Sequence, residues 1–395
     1  MSQVEGIRLS ATAAGIRYRD RDDLLLIELA EGTSCAAVFT RNAFCAAPVT
    51  VAREHLAKGP VRYLLINSGN ANAGTGDAGL RAARETCRLL ADMAGCAKSQ
   101  VLPVSTGVLG LDLPVDPFAQ AVPSLLSGLS EDQWPRAAAA IMTTDTVPKL
   151  VSQQLDLSGG RIVVTGIAKG SGMICPDMAT MLAYVATDAA VAKPLLQQIL
   201  DEAVAGTFNS ITVDGDTSTN DACILMASGA AGAAVESLES DDGLLFAQAV
   251  RSVCAQLAEM IVRDGEGATK LVRVKIESAS TTVEARRVAY TVAHSPLVKT
   301  ALFASDPNWG RILAAVGRSG VEGLDIAAVR IWLGAVCIVS GGGRDPGYTE
   351  AAGQQVMDRE EITIRIDLGR GEIDVEVLTC DLSYDYVKIN AEYRS

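Results

Sequence analysis

The sequence is poor in histidine, the side chain most often used for acid–base catalysis near neutral pH. Only two histidines, His55 and His294, occur in 395 residues, far apart and neither in a nucleophile-elbow context. A Ser-His-Asp triad is therefore improbable, and any nucleophile must find another base. No Cys-x-x-Cys pair exists, and the acidic run Asp214 to Asp221 lacks calcium-loop spacing, so no metal site is implied. Basic residues are outnumbered: the formal net charge is −13, against the clustered Lys and Arg that a phosphate backbone requires. Aromatics make up only 4% of the chain, so its alanine-rich helices are expected to pack closely through small side chains. Long uninterrupted apolar runs are missing too. A membrane span needs about 20 predominantly apolar residues, and each long stretch here is broken by charge, glycine or proline. Residues 1–6 show neither a basic start nor a following apolar segment of signal-peptide length. The expected location is the cytoplasm, where the nine scattered cysteines read as reduced core residues.

What is present describes a well-buried globular chain: 49% hydrophobic and 21% charged residues, long enough for more than one structural unit. Strand-like runs at 24–29, 62–66, 101–105, 161–167 and 181–187 alternate with helical patterns at 77–93, 131–142 and 194–207, which predicts an α/β architecture. Leu24 to Leu29 and Cys35 to Thr40 also allow antiparallel pairing. A long helix is predicted over 243–262, and a strand-rich section opens at 271–276. The alternating runs 361–367 and 372–378, separated by Gly369-Arg370-Gly371, read as a hairpin. Boundaries near 195 and 272 give three expected parts: 1–195, 196–272 and 273–395.

Two motifs invite chemistry. Gly74-Thr75-Gly76-Asp77-Ala78-Gly79 spells a dinucleotide fingerprint. However, seven residues separate it from the preceding strand, and the next strand ends in Ser105-Thr106 instead of an acid, so a tight helix-entry turn is favoured over a nucleotide-binding oxidoreductase. The second is Lys169-Gly170-Ser171-Gly172-Met173-Ile174-Cys175-Pro176-Asp177-Met178-Ala179-Thr180-Met181-Leu182, which sets a threonine between a glycine-rich turn and an apolar strand. Were the Ala179–Thr180 bond cut, the new α-amine would have a reference pKa of about 7.7 to 8.0 and could serve as the missing base. Spacing alone does not select Thr180, since a threonine that simply starts a strand looks the same. Cys175 has no histidine motif to make it a rival.

That stretch resembles the self-cleavage site of the ornithine acetyltransferase family, and further blocks match in order along almost the whole chain. They are Phe39-Thr40-Arg41-Asn42 with Ala46-Ala47-Pro48-Val49, Ile66 to Ala73, Ser105 to Val108, Met142 to Thr146, Asn209 to Asp216, Arg263 to Lys270, Asp306 to Arg311 and Lys388 to Ser395. The resemblance implies a layered α-β-β-α core of the self-processing amidohydrolase type with a strand-rich C-terminal domain. It also implies fragments 1–179 and 180–395 that assemble as two α and two β chains, and no cofactor or metal. Thr180 would be the nucleophile of cleavage and of ping-pong acetyl transfer from N2-acetylornithine to glutamate, with acetyl-CoA as an open second donor. Thr106 and Gly107 match the oxyanion hole; Thr146, Lys169, Glu266, Asn390 and Ser395 match substrate-binding positions. A related self-processing aminopeptidase or amidase would use the same threonine with water as the acceptor.

Overall fold

The computed structural model describes residues 3–175 and 181–392. Ala179, Thr180 and Ser395 lie outside that set. The chain divides into two compact units, Met1–Asn209 with Asp216–Ile261, and Ser210–Gly215 with Val262–Ser395.

The first unit runs β1 (Ile7–Thr12), β2 (Leu24–Leu29), β3 (Ser34–Phe39), α1 (Ala47–Leu56), β4 (Tyr63–Asn67), α2 (Gly76–Ala94), β5 (Val101–Ser105), α3 (Asp116–Ser127) and α4 (Trp134–Ala140). It continues with β6 (Lys149–Leu157), β7 (Gly160–Lys169), β8 (Leu182–Thr187), β9 (Ala190–Val191), α5 (Lys193–Ala205), β10 (Ala222–Ala227), β11 (Ala234–Val235) and α6 (Asp241–Arg263). Two main sheets form among the described residues, ordered β1-β2-β4-β5 and β3-β10-β8-β7-β6, beside the two-stranded β11-β9. One core holds alternate residues of both sheets, such as Ile27, Ile66 and Val104 with Ile167, Tyr184 and Ile224, so the sheets lie face to face. The opposite face of the first sheet (Leu24, Leu26, Leu65) packs with Cys87 and Leu90 of α2 and Phe118 and Val122 of α3. On the second sheet, a β-carbon added at Gly166 would fall 2.9 Å from both Val253 and Leu257 of α6, which shows how closely this helix seats on small residues. The layering is α-β-β-α. By length and composition α6 is apolar enough to cross a membrane, but half of that stretch is buried inside the unit, as in a core helix.

Two local expectations fail here. Strands β2 and β3 do not pair, because Gly32, at φ +88°, turns the chain from one sheet to the other, where β3 pairs antiparallel with β10. Residues 196–261, apart from 210–215, do not form a linking part. Strand β10 is hydrogen-bonded between β3 and β8, which ties this stretch into the first unit.

The second unit contains β12 (Leu271–Ala279), α7 (Thr282–Ala293), α8 (Pro296–Phe303), α9 (Trp309–Gly317), β13 (Arg330–Leu333), β14 (Val336–Ser340), β15 (Gly343–Arg344), α10 (Glu350–Met357), β16 (Glu361–Asp367), β17 (Ile373–Cys380) and α11 (Tyr384–Glu392). Its sheet order is β15-β14-β13-β16-β12-β17. The predicted 361–378 hairpin is therefore not one. Strand β12 lies between β16 and β17, and the Gly369 turn passes around its end, with the amides of Arg370 and Gly371 donating to the Ser278 carbonyl at 2.7 and 2.8 Å. Ala285, Val288 and Val292 of α7 join Val274, Ile276, Ile364 and Ile366 in the core. Side-chain caps at Thr281, Ser295, Asn308 and Thr349 start α7, α8, α9 and α10 by accepting from a backbone amide of the first turn.

Candidate active site

The first cluster sits where β5 ends. Ser105 closes the strand opposite Asn67, and asparagine side chains then bind the loops around it. Asn67 accepts from the Ser105 hydroxyl at 2.6 Å and donates to the Asn70 carbonyl at 2.8 Å. Asn220, just ahead of β10, donates to the carbonyls of Ala71 at 2.6 Å and Ser105 at 2.9 Å. These amides are buried, so each bond replaces water that cannot reach. Thr106 and Gly107 form the turn they hold. The Thr106 amide is consumed by the Asn67 carbonyl at 3.0 Å, while among the described residues neither its hydroxyl nor the Gly107 amide donates a hydrogen bond. The Thr106 hydroxyl and the Gly107 amide are the two donors of this turn that no hydrogen bond among the described residues uses. Gly107 has φ +135°, and a β-carbon there would lie 2.2 Å from the Gly69 carbonyl carbon and 2.5 Å from the Asn70 nitrogen. Only glycine fits this backbone approach.

The second cluster is ionic and lies at the ends of β6 and β7. Asp145 is fully buried, with its Oδ1 taking the Lys149 ammonium at 2.7 Å and the Gly170 amide at 2.7 Å, and its Oδ2 the Thr143 amide at 3.0 Å. Lys169 stands 3.9 Å from the same Oδ2. Burial pushes the Asp145 carboxyl up, but Lys169, Lys149 and the hydrogen bonds outweigh it and hold the pKa at about 2. Lys169 pairs with Leu182 across β7 and β8, two residues beyond Thr180 in the sequence. Thr146, beside Asp145, is exposed.

In the second unit, Glu266 is buried and accepts from the Asn390 side-chain amide of α11 at 2.8 Å. The structure therefore joins Thr106 to Gly107, Lys169 to Asp145 with Thr146 next along the chain, and Glu266 to Asn390. The glycines of the fingerprint do structural work: Gly79 sits where a β-carbon would be 1.9 Å from the Thr75 hydroxyl, and its carbonyl accepts from Asn72 at 3.0 Å. Among the described residues, no group of three His, Cys, Asp or Glu side chains is arranged to hold a metal. All nine cysteines are free, and five of them are buried.

Asn67, Asp145 and Lys149 were not singled out from sequence as individual residues, and Asn220 was read only as one polar residue of the 209–221 loop. The clue for the aspartate and Lys149 was there: two opposite charges four apart, immediately ahead of a strand.

The ArgJ family model matches residues 8–395. The chain belongs to the ArgJ family. A Methylococcus capsulatus relative, "Arginine biosynthesis bifunctional protein ArgJ", is 59% identical over 392 residues, 99% of this chain and 96% of that protein. Among solved structures of the family, ArgJ from Bacillus halodurans is 40% identical with a TM-score of 0.51, covering 54% of this chain and 99% of that one. An ornithine acetyltransferase from Mycobacterium tuberculosis, complexed with ornithine, is 35% identical with a TM-score of 0.42, covering 45% and 94%. The Thr106–Gly107 turn and the Lys169 cluster thus belong to an ArgJ chain.

Proposed function

We propose that this chain is a self-cleaving glutamate N-acetyltransferase of arginine biosynthesis that carries acetyl on Thr180. The observation behind this reading is the ArgJ family match over residues 8–395, with the unused Thr106 hydroxyl and Gly107 amide at the end of β5 as its supporting geometry. In maturation the Thr180 hydroxyl attacks the Ala179 carbonyl, the C–N bond breaks, and the departing nitrogen takes the proton. Water then opens the ester, leaving Ala179 as a carboxylate and Thr180 with a free hydroxyl and amine. The Bacillus halodurans chain supports this, since 99% of it aligns with little more than half of the present one, the share that residues 180–395 would make up.

In transfer, the amine removes the hydroxyl proton as the oxygen attacks the acetyl carbonyl of N2-acetylornithine. The Thr106 hydroxyl and Gly107 amide meet the tetrahedral oxyanion, and ornithine leaves as the amine with that proton. Glutamate's amine then takes the acetyl group from the ester and frees Thr180. Lys169 would receive the α-carboxylate and Glu266 the ornithine amino group, with Thr146, Asn390 and Ser395 as further substrate contacts. Acetyl-CoA is a candidate second donor, which glutamate acetylation with acetyl-CoA alone would decide. The fragments are proposed to assemble as two α and two β chains in the cytoplasm.

Intact-mass spectrometry of denatured wild type and Thr180→Ala tests the reading. Wild-type fragments meeting at Ala179 and Thr180, with an uncut, inactive variant, are expected. An intact Thr180→Ala protein that still transfers acetyl would sink it. Acetylglutamate formation separates transfer from hydrolysis to acetate, the outcome expected of an aminopeptidase or amidase.

A further inference from the structure

Buried carboxylates in this protein collect donors. Asp23 takes the amides of Ala14, Gly15, Ile16 and Arg17 at 2.7 to 3.3 Å. Asp381 takes both the amide and hydroxyl of Thr269 and the amide of Lys270. Asp145 is satisfied on both oxygens, as described above. Asp221 departs from this pattern. It is only 2% exposed, and its Oδ2 has no hydrogen-bond partner. The remaining contacts of its carboxyl are the Ser218 and Thr40 hydroxyls and the Met181 amide. The single Thr40 proton is already given to the Ser218 carbonyl at 2.8 Å, so the Thr40 oxygen meets the carboxyl as an acceptor. The Ser218 hydroxyl and the Met181 amide are thus the donors on the carboxyl, and an ionised Oδ2 would carry charge in a dry interior with no donor of its own, which is poorly tolerated.

The position of Asp221 gives this a consequence. It immediately precedes β10, which runs parallel to β8 with Ala222 opposite Leu182. The Ala222 amide donates to the Met181 carbonyl at 3.1 Å, and the Asp221 carboxyl takes the Met181 amide. Met181 is thereby gripped at both its N–H and its C=O, and it is the residue after Thr180. Lys169 is the charged group that acts on Asp221. Asp145 lies 3.9 Å from the same lysine, and Arg53 of α1 donates to the Thr40 carbonyl. Burial pushes the Asp221 carboxyl well above its usual range, against the opposing pull of Ser218 and Lys169.

We propose that Asp221 is a positioning residue that works as a neutral acid, clamping the peptide of Met181 behind the nucleophile and not serving as counter-ion to Lys169. This rests on Thr180 being the nucleophile. Two carboxyls that share one lysine as a charged neighbour would then have opposite tasks: Asp145 ionised to hold the lysine, Asp221 protonated to hold the backbone.

Asp221→Asn keeps shape and hydrogen-bonding capacity without the ability to ionise, whereas Asp221→Ala removes the clamp. The expected result is a large fall in kcat for Asp221→Ala with a smaller change in KM, and rescue by Asp221→Asn. A carboxyl whose folded pKa lies above its unfolded value of about 3.9 costs stability as pH rises past that value. The Tm of Asp221→Asn should therefore exceed wild type at neutral pH, with the margin closing below about pH 4. An asparagine variant as impaired as the alanine one, and less stable than wild type at neutral pH, would overturn the proposal. If Asp221→Asn does not fold, wild type labelled with carboxyl-13C aspartate decides: one carboxyl resonance should stay at its protonated position through neutral pH, and its absence refutes the assignment. That spectrum does not depend on catalysis, so an active Thr180→Ala protein would remove the nucleophile reading without touching the protonation of Asp221.

Discussion

The two units hold their polar site residues in opposite ways. In the first, the asparagine network around Thr106 and Gly107 and the Asp145–Lys149 pair are inside the protein, each group bonded to a strand end or an adjoining turn. In the second, Glu266 meets Asn390 on α11, a helix with no buried residue. A buried network fixes its members before any ligand arrives, because leaving one partner unmatched costs more than the bond itself contributes. A contact supplied by an exposed helix can be lost at little cost to the fold. The groups proposed to face developing charge are thus on the preorganised side, and those proposed for the substrate's amino end are on the adjustable side.

The comparison breaks most severely at Gly107. Alanine there would place a methyl 2.2 Å from a backbone carbon, so the turn must open. Acetyl transfer and self-cleavage are both expected to fall by about 10² to 10³, the cost of one oxyanion donor, with a loss of about 1–3 kcal/mol from overpacking. Thr106→Val, which removes only the hydroxyl, should match the rate loss without the drop in Tm. Equal Tm losses in both would mean that the turn is structural.

Next comes Asp145. Leucine in its place strands a buried lysine, and removal of one partner from such a pair costs about 3–5 kcal/mol. The effect on stability should exceed that of any substitution in the Glu266–Asn390 contact, and a urea titration measures it. The pH dependence has a definite sign. The folded pKa of about 2 lies below the unfolded value near 3.9, so the stabilisation is complete above about pH 4 and is lost as pH falls toward 2. An acid-unfolding midpoint unchanged when Asp145 and Lys149 are replaced together by Leu and Met would show that the pair carries no such linkage.

The legible parts of the fold were those set by local periodicity. Strand β16 lies where its alternation placed it, and α2, α5 and α6 lie within a few residues of their patterns. What the pattern could not carry was which strands meet. The Gly369 turn has hairpin chemistry, yet β12 lies between the strands it joins, because its pairing with β16 is parallel and long-range, with no local signature. Strand β10 was hidden behind the acidic loop that precedes it. The same loop hid Asp221, one acid among several until strand pairing set it against Met181. Thr106, Gly107 and Lys169 came from motif resemblance; their spacing would not have selected them. The asparagines escaped individual notice because a buried amide and a loop amide are the same letter.

The smallest effect sharpens the comparison most. Asn390→Ala removes an amide that donates to Glu266 at 2.8 Å and to the Tyr386 carbonyl at 3.0 Å on an exposed face. Bonds of this kind contribute about 0.5–1.5 kcal/mol when intact, and less where water can substitute. Tm should therefore move little. If Asn390 orients Glu266 toward the ornithine amino group, KM for acetylornithine should rise several-fold while the first-unit chemistry, read as kcat, stays near wild type. A matched loss in kcat with no change in KM would instead place this contact with the preorganised groups, and the division between the two units would no longer hold.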